Sequence, residues 1–326
     1  MATALDAALA AELFDPWAFL PVGGALRAAC DAGDPAAALA IVRGLTVHDD
    51  VAAALWGIAG WSTEGDRSAF TGAIEAAEDG TPLARTLCAI RYITVAWAIR
   101  TGARAEHVSA SQFEQFQEWL RRAERVLFDV CSEHPGYVPA WEARITTARG
   151  LQLGHGEARR RYDRLAALDP QVFPAQRVYL QQILPKWGGS WEDSSRFVEE
   201  CTTDAPAGAL GPLLVVDLAI ERWLDGEKTV PPAMVERVRA AAARSVWHAD
   251  HRDGAGTATA HANLAFFYTL AKLPADAWPH FEALGETPVE AMWKYRPGPE
   301  AAYRKGRDAA AKAAAKSAGS RAGVPA

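Results

Sequence analysis

The chain reads as one helical window after another, and no segment carries the pattern of a β-strand. A half-buried strand alternates apolar and polar residues and favours Val, Ile, Thr and aromatics between turns. Here apolar residues recur three and four apart, as Val51, Leu55, Ile58 and Ala59 do. That is the spacing of one helix face. Short punctuators separate the windows: Gly33-Asp34-Pro35, then Asp79-Gly80 before Pro82, then His134-Pro135-Gly136. Proline suits a first helical turn, where its missing N–H has no intrahelical partner, and it blocks continuation from behind. The windows include 2–14, 67–79, 82–101, 172–184, 191–203, 209–225, 288–294 and 299–316, with Ser111 starting one that runs to Cys131. They predict about sixteen helices joined by short turns, which favour antiparallel pairs. The expected fold class is all-α.

Composition agrees with this reading. Half the residues are apolar and 23% are charged, which suits a globular chain. Alanine, the best helix former, is used heavily. From Arg296 to Ala326 seven basic residues accompany two acidic ones, and the remainder carries 27 basic and 38 acidic residues. An acidic body speaks against nucleic-acid binding, which needs a basic face to neutralise phosphates. The basic tail reads as a frayed, Ala/Lys-rich helix end. Cys30, Cys88, Cys131 and Cys201 form no C-x-x-C pair, so neither a zinc nor a redox motif is present and each thiol reads as a small buried apolar group. Asp6 and Glu12 and the lack of a basic start argue against a signal peptide. The longest uncharged apolar run, Ala205 to Val216, is 12 residues with Pro and Gly inside, too short for a bilayer. A cytoplasmic location is therefore expected. Arg outnumbers Lys 27 to 7, a bias typical of GC-rich bacterial genomes.

Pro135, Pro170 and Pro206 each close a helix, 35 and 36 residues apart. Before Pro170 stand Trp141, Leu151-x-Leu153-Gly154 and Ala158-x3-Tyr162. Near the C-terminus Asn263-Leu264-Ala265, Tyr268, Ala277-x3-Phe281 and Pro288 repeat the scheme. A small Ala lets two helices approach, an aromatic fills the groove, and Pro ends the unit. This resembles tetratricopeptide repeats, whose period is near 34 residues, although the Trp/Leu-Gly/Tyr signature of the first helix is never complete. The resemblance implies a tetratricopeptide-like α-solenoid of antiparallel helix pairs. Expected domains are an N-terminal helical region (1–108), the repeats (109–295), and a basic Ala-rich helix with a disordered tail (296–326).

The clearest landmark is Pro185-Lys186-Trp187-Gly188-Gly189-Ser190-Trp191-Glu192. Pro185 ends the helix of Tyr179, Leu180 and Ile183, Gly-Gly permits a tight turn, and Ser190 with Asp193 caps the next helix. The six residues Pro185 to Ser190 also resemble a bacterial family of unknown function, in which a Pro-Lys-Trp-Gly-Gly-Ser turn joins two helices of a tetratricopeptide-like fold. That resemblance implies a fold and no activity. Two readings of the segment stand: Trp187 and Trp191 lock the turn as packing material, or they line a peptide groove with Lys186 and Tyr179. Packing is the simpler account.

The most polar stretch is Trp247-His248-Ala249-Asp250-His251-Arg252-Asp253, with His261 ten residues beyond His251. His248, Asp250, His251 and His261 are the right residue types for a metal or an acid/base site, but no metal-binding framework such as H-E-x-x-H surrounds them. A solvated loop is the simpler account here too. No G-x-S-x-G elbow supports Ser194 or Ser195 as a nucleophile. Val22-Gly23-Gly24 lacks the G-K-[ST] of a phosphate loop. Arg159-Arg160-Arg161 with Arg164 reads as a solvated helix face. The expected function is a non-catalytic module with a protein or peptide partner, without cofactor, nucleic acid or membrane. The alternative is an enzyme or a metal or small-molecule binder using His248–His261.

Overall fold

The computed structural model describes residues 17, 19–61, 67–100, 108–286, 288–289 and 291–322. Among them are fifteen α-helices and no strand, so the chain is all-α. The expected window 2–14 lies outside the described residues. The chain divides into two compact units, Leu20–Ser194 and a second that joins Met1–Phe19 to Ser195–Ala326.

The first unit contains α1 (Gly23–Asp31), α2 (Pro35–Val42), α3 (His48–Gly60), α4 (Arg67–Ala76), α5 (Pro82–Arg100), α6 (Ala110–Glu133), α7 (Val138–Gly150), α8 (His155–Ala166) and α9 (Phe173–Gln182). Local chemistry sets their ends. The Asp34 carboxylate accepts the Ala37 N–H at 2.9 Å ahead of Pro35. α6 begins at Ala110, one residue before the expected Ser111, and its cap is Ser109. Its hydroxyl accepts the Gln112 N–H at 3.2 Å, and the Gln112 carbonyl oxygen accepts the Ser109 N–H at 3.1 Å. This reciprocal pair satisfies two backbone donors that have no intrahelical partner.

α6 buries Phe116, Leu120, Ala123, Leu127 and Val130, one stripe at helical spacing. α5 and α6 form the most extensive helix pair of the chain. The expected boundary near 108 therefore falls inside one unit. α7 is buried almost all round, because α3, α5, α6, α8 and α9 all contact it. Burial of charge on α7 is compensated locally. Glu124 accepts from Arg144 at 2.8 Å, from Arg161 at 2.8 Å and from the Thr147 hydroxyl at 2.5 Å. Arg161 also reaches Glu157 at 2.7 Å. The basic run 159–161 is thus only partly a solvated face, since Arg161 is 2% exposed.

The unit boundary lies within α10 (Trp191–Thr203). The second unit continues with α11 (Leu214–Leu224), α12 (Pro232–Arg244), α13 (Ala255–Leu270), α14 (Pro274–Leu284) and α15 (Pro299–Ala322). The expected helix 209–225 begins late, because Gly211-Pro212-Leu213 forms a 3-10 turn first. The expected helix 288–294 is replaced by a 3-10 turn at Ala291–Tyr295. Its Trp293 joins an aromatic core, 4.9 Å from Phe266 and 5.3 Å from Tyr303, with Phe281 5.3 Å from Tyr303. Edge-to-face contacts at such distances add about 0.5–1.5 kcal/mol each beyond burial. Tyr303 and Ala310 anchor α15 to this core. The first half of the basic C-terminal helix is therefore docked, with Tyr303, Gly306 and Ala310 buried.

Candidate functional site

The landmark turn folds as its residues dictate. α9 ends at Gln182, Pro185–Trp187 makes a 3-10 turn, and Gly188 takes φ +85°. Gly189 sits so close to Ile183 that a Cβ would lie 1.9 Å from the Ile183 carbonyl oxygen. Ser190 accepts the Asp193 N–H at 3.0 Å, as a helix cap should. His155 Nε2 bonds the Trp187 carbonyl at 3.1 Å and pins the turn from α8.

Trp187 itself meets α5 and α7. Its ring stands edge-on to Trp97 at 6.0 Å and 88°. The Arg100 guanidinium lies 5.5 Å from Trp97 and 5.8 Å from Trp187, and that of Arg149 lies 5.5 Å and 5.4 Å from the same two rings. Two indoles and two guanidiniums therefore interleave, and all four residues are partly exposed. Trp97 Nε1 is buried without a hydrogen-bond partner. Lys186 is exposed beside them, and Trp191 is half-buried at the start of α10. Tyr179 is 5% exposed. Its ring stacks on Tyr162 at 4.9 Å, with Arg159 5.9 Å away. It is core, with no surface to offer a partner. Sequence reading missed Trp97, Arg100 and Arg149, which lie 38 to 90 residues from Trp187.

The histidine stretch resolves differently. Among the described residues no three His, Cys, Asp or Glu side chains are placed to hold a metal, so His248, Asp250, His251 and His261 form no metal set. His251 spends both ring nitrogens within the second unit: Nδ1 bonds the carbonyl of Gly208, on the segment between α10 and α11, at 2.8 Å, and Nε2 meets the hydroxyl of Thr257, in the first turn of α13, at 3.0 Å. The Gly208 carbonyl can only accept, so Nδ1 carries a proton and donates to it, while the Thr257 hydroxyl also accepts the Gly254 N–H. His248 accepts the Asp250 N–H at 3.2 Å. His261 turns to His280, a residue that sequence reading did not single out, with 2.9 Å between the two Nδ1 atoms. Trp247 covers the pair at 5.0 and 5.2 Å, and Tyr268 stacks on His280 at 5.6 Å. The two imidazoles are 5% and 3% exposed. Burial pushes His261 down to about 4 and His280 down to about 3.

A second buried ionisable group lies in the first unit. Glu142 on α7 is 2% exposed, and both of its oxygens face Trp56 Nε1, at 2.8 and 3.2 Å. Burial raises its carboxyl to about 7, against the opposing hydrogen bond from Trp56. Asp49 on α3 is also raised to about 7, first by burial and then by the charges of Asp169, Asp50 and Glu142, while its bond from the Phe173 N–H works the other way. His48 meets Asp169 at 2.8 Å. The apolar residues around Glu142 in sequence give the one signal of its burial.

No family model, no curated protein and no solved structure matches this chain, so the site's geometry has to carry the functional argument.

Proposed function

We propose that the protein is a non-catalytic interaction module: a tetratricopeptide-like helical scaffold that holds a protein or peptide partner in the cytoplasm. One observation carries this reading, the partly exposed cluster in which Trp187 of the Pro185–Ser190 turn meets Trp97 and Arg100 of α5 and Arg149 of α7. Tryptophan and arginine are the residue types that anchor interfaces. Guanidiniums over indoles, with Lys186 alongside, suit a segment that carries acidic and aromatic side chains. The four buried free thiols fit a reducing compartment. No helix among the described residues is long and apolar enough to cross a membrane. The acidic body disfavours a nucleic-acid partner.

The test is peptide display panned against the purified full chain, with a Trp187→Ala, Arg149→Glu double variant as counter-selection. Enrichment of acidic, aromatic peptides that bind the wild type and lose about tenfold or more on the variant is expected. Absence of enrichment, or binders indifferent to the variant, would overturn the proposal.

A further inference from the structure

Helices α4, α5 and α6 frame an open surface cavity of about 460 Å³ in the first unit, lined among others by Gly72, Glu75, Val95, Ile99, Trp119 and Arg122. Ligand pockets fall in the range of about 300–1,000 Å³. Val95 and Ile99, one turn apart on α5, and the indole of Trp119 on α6 form its apolar wall. Its polar edge is one ion pair, in which Arg122 Nη2 donates to Glu75 Oε1 at 2.7 Å.

Three features make this pair more than a surface salt bridge. First, it is held in place: Tyr92 O–H donates to the same Glu75 oxygen at 2.8 Å, and the Arg122 guanidinium lies 4.2 Å from the Tyr92 ring and 5.4 Å from Trp119. Second, it is incompletely used. Both donors converge on Oε1, so Glu75 Oε2 accepts nothing from the described residues, and Arg122 Nε and Nη1 donate to none of them. Third, it is reachable, with Glu75 37% and Arg122 44% exposed. The space beside it is kept open by Gly72, where a Cβ would meet nothing within 4 Å. A helix-interior glycine costs about 1 kcal/mol relative to alanine, and no crowding at this position explains it.

We propose that this cavity binds a free α-amino acid with an apolar side chain. The α-ammonium donates to Glu75 Oε2, the α-carboxylate accepts the unused N–H groups of Arg122, and the side chain lies against Val95, Ile99 and Trp119. Adjacent opposite charges on the protein are matched by adjacent opposite charges on the ligand. An amine alone would meet the Arg122 cation and an acid alone the Glu75 carboxylate, so each is disfavoured. This inference does not rest on the partner cluster at Trp187.

Isothermal titration of the full chain with L-leucine and L-phenylalanine is the test, with L-leucinamide and N-acetyl-L-leucine as single-charge controls. Saturable binding of at least one of the two amino acids is expected, with each control weaker than leucine by about tenfold or more. Gly72→Leu fills the cavity from a good helix former and abolishes binding without lowering the melting temperature. Gly72→Ala, one methyl in the same space, gives an intermediate affinity and serves if the larger variant misfolds. The Trp187→Ala, Arg149→Glu variant keeps amino-acid binding, which separates this proposal from the previous one. No saturable binding of either amino acid up to about 10 mM overturns it. So does a control that binds as tightly as leucine, or a folded Gly72→Leu variant of unchanged affinity.

Discussion

The two units carry buried titratable groups of opposite sense, so pH should move their stabilities in opposite directions. In the first unit Glu142 has an unperturbed value of 4.5 and a folded value of about 7. The folded state therefore holds this proton more tightly than the unfolded chain does. Its contribution is complete below about pH 4.5 and is lost as pH rises through about 7. Each pKa unit corresponds to about 1.4 kcal/mol, so the loss is on the order of 3 kcal/mol. Asp49, raised from 3.8 to about 7 chiefly by burial, adds to the same slope. In the second unit His261 falls from 6.5 to about 4. The unfolded chain there binds the proton more tightly. The contribution is complete above about pH 6.5 and is lost as pH falls from there towards 4. One proton on the pair leaves the bond between the two Nδ1 atoms intact, because an imidazolium still donates to its neutral partner. The second proton breaks it. Counting a single histidine gives a loss on the order of 3 kcal/mol again. Urea unfolding between about pH 4.5 and 7.5, read by pulsed hydrogen exchange, checks this unit by unit. Peptides from α7 should protect less well as pH rises, and peptides from α13 less well as it falls. Glu142→Gln keeps an acceptor for Trp56 Nε1 and removes the charge, so it should reduce the α7 slope to the part Asp49 supplies and leave the α13 slope unchanged. Both units shifting in the same direction, or an α7 slope that Glu142→Gln leaves undiminished, would refute the reasoning.

Other variants test the joints of the fold. Gly189→Ala places a methyl 1.9 Å from the Ile183 oxygen, which also accepts the buried Ser194 hydroxyl at 3.0 Å. Overpacking plus that lost bond should cost about 3 kcal/mol and lower the first unit's melting temperature by about 6–12 °C in calorimetry. Gly136→Ala meets open space and should melt within about 2 °C of wild type. Ser109→Ala should lose about 1 kcal/mol in urea titration through the α6 cap. Arg161→Met strips one buried cation from Glu124 and Glu157 and should cost about 3 kcal/mol in the same assay, with exchange rising first in α7 and α8.

Periodicity and punctuation alone determined the helical class, most helix windows and the mechanics of the Pro185–Ser190 turn. Those properties are local: a helix needs an apolar stripe, a cap needs one hydroxyl three residues ahead, and a tight turn needs glycine. The errors at Ser111 and at 209–225 and 288–294 arose where two local choices were nearly equal and packing selected one. Only the tertiary structure decided which polar residues meet. His261 found His280 and left its sequence neighbours His248 and His251, because a buried imidazole must satisfy its nitrogen and α14 places a partner 2.9 Å away. Trp187 found Trp97, Arg100 and Arg149, and Glu75 found Arg122 and Tyr92, across separations that no spacing rule spans. Side-chain chemistry is written along the chain, but its partners are assigned by which helix faces are buried together.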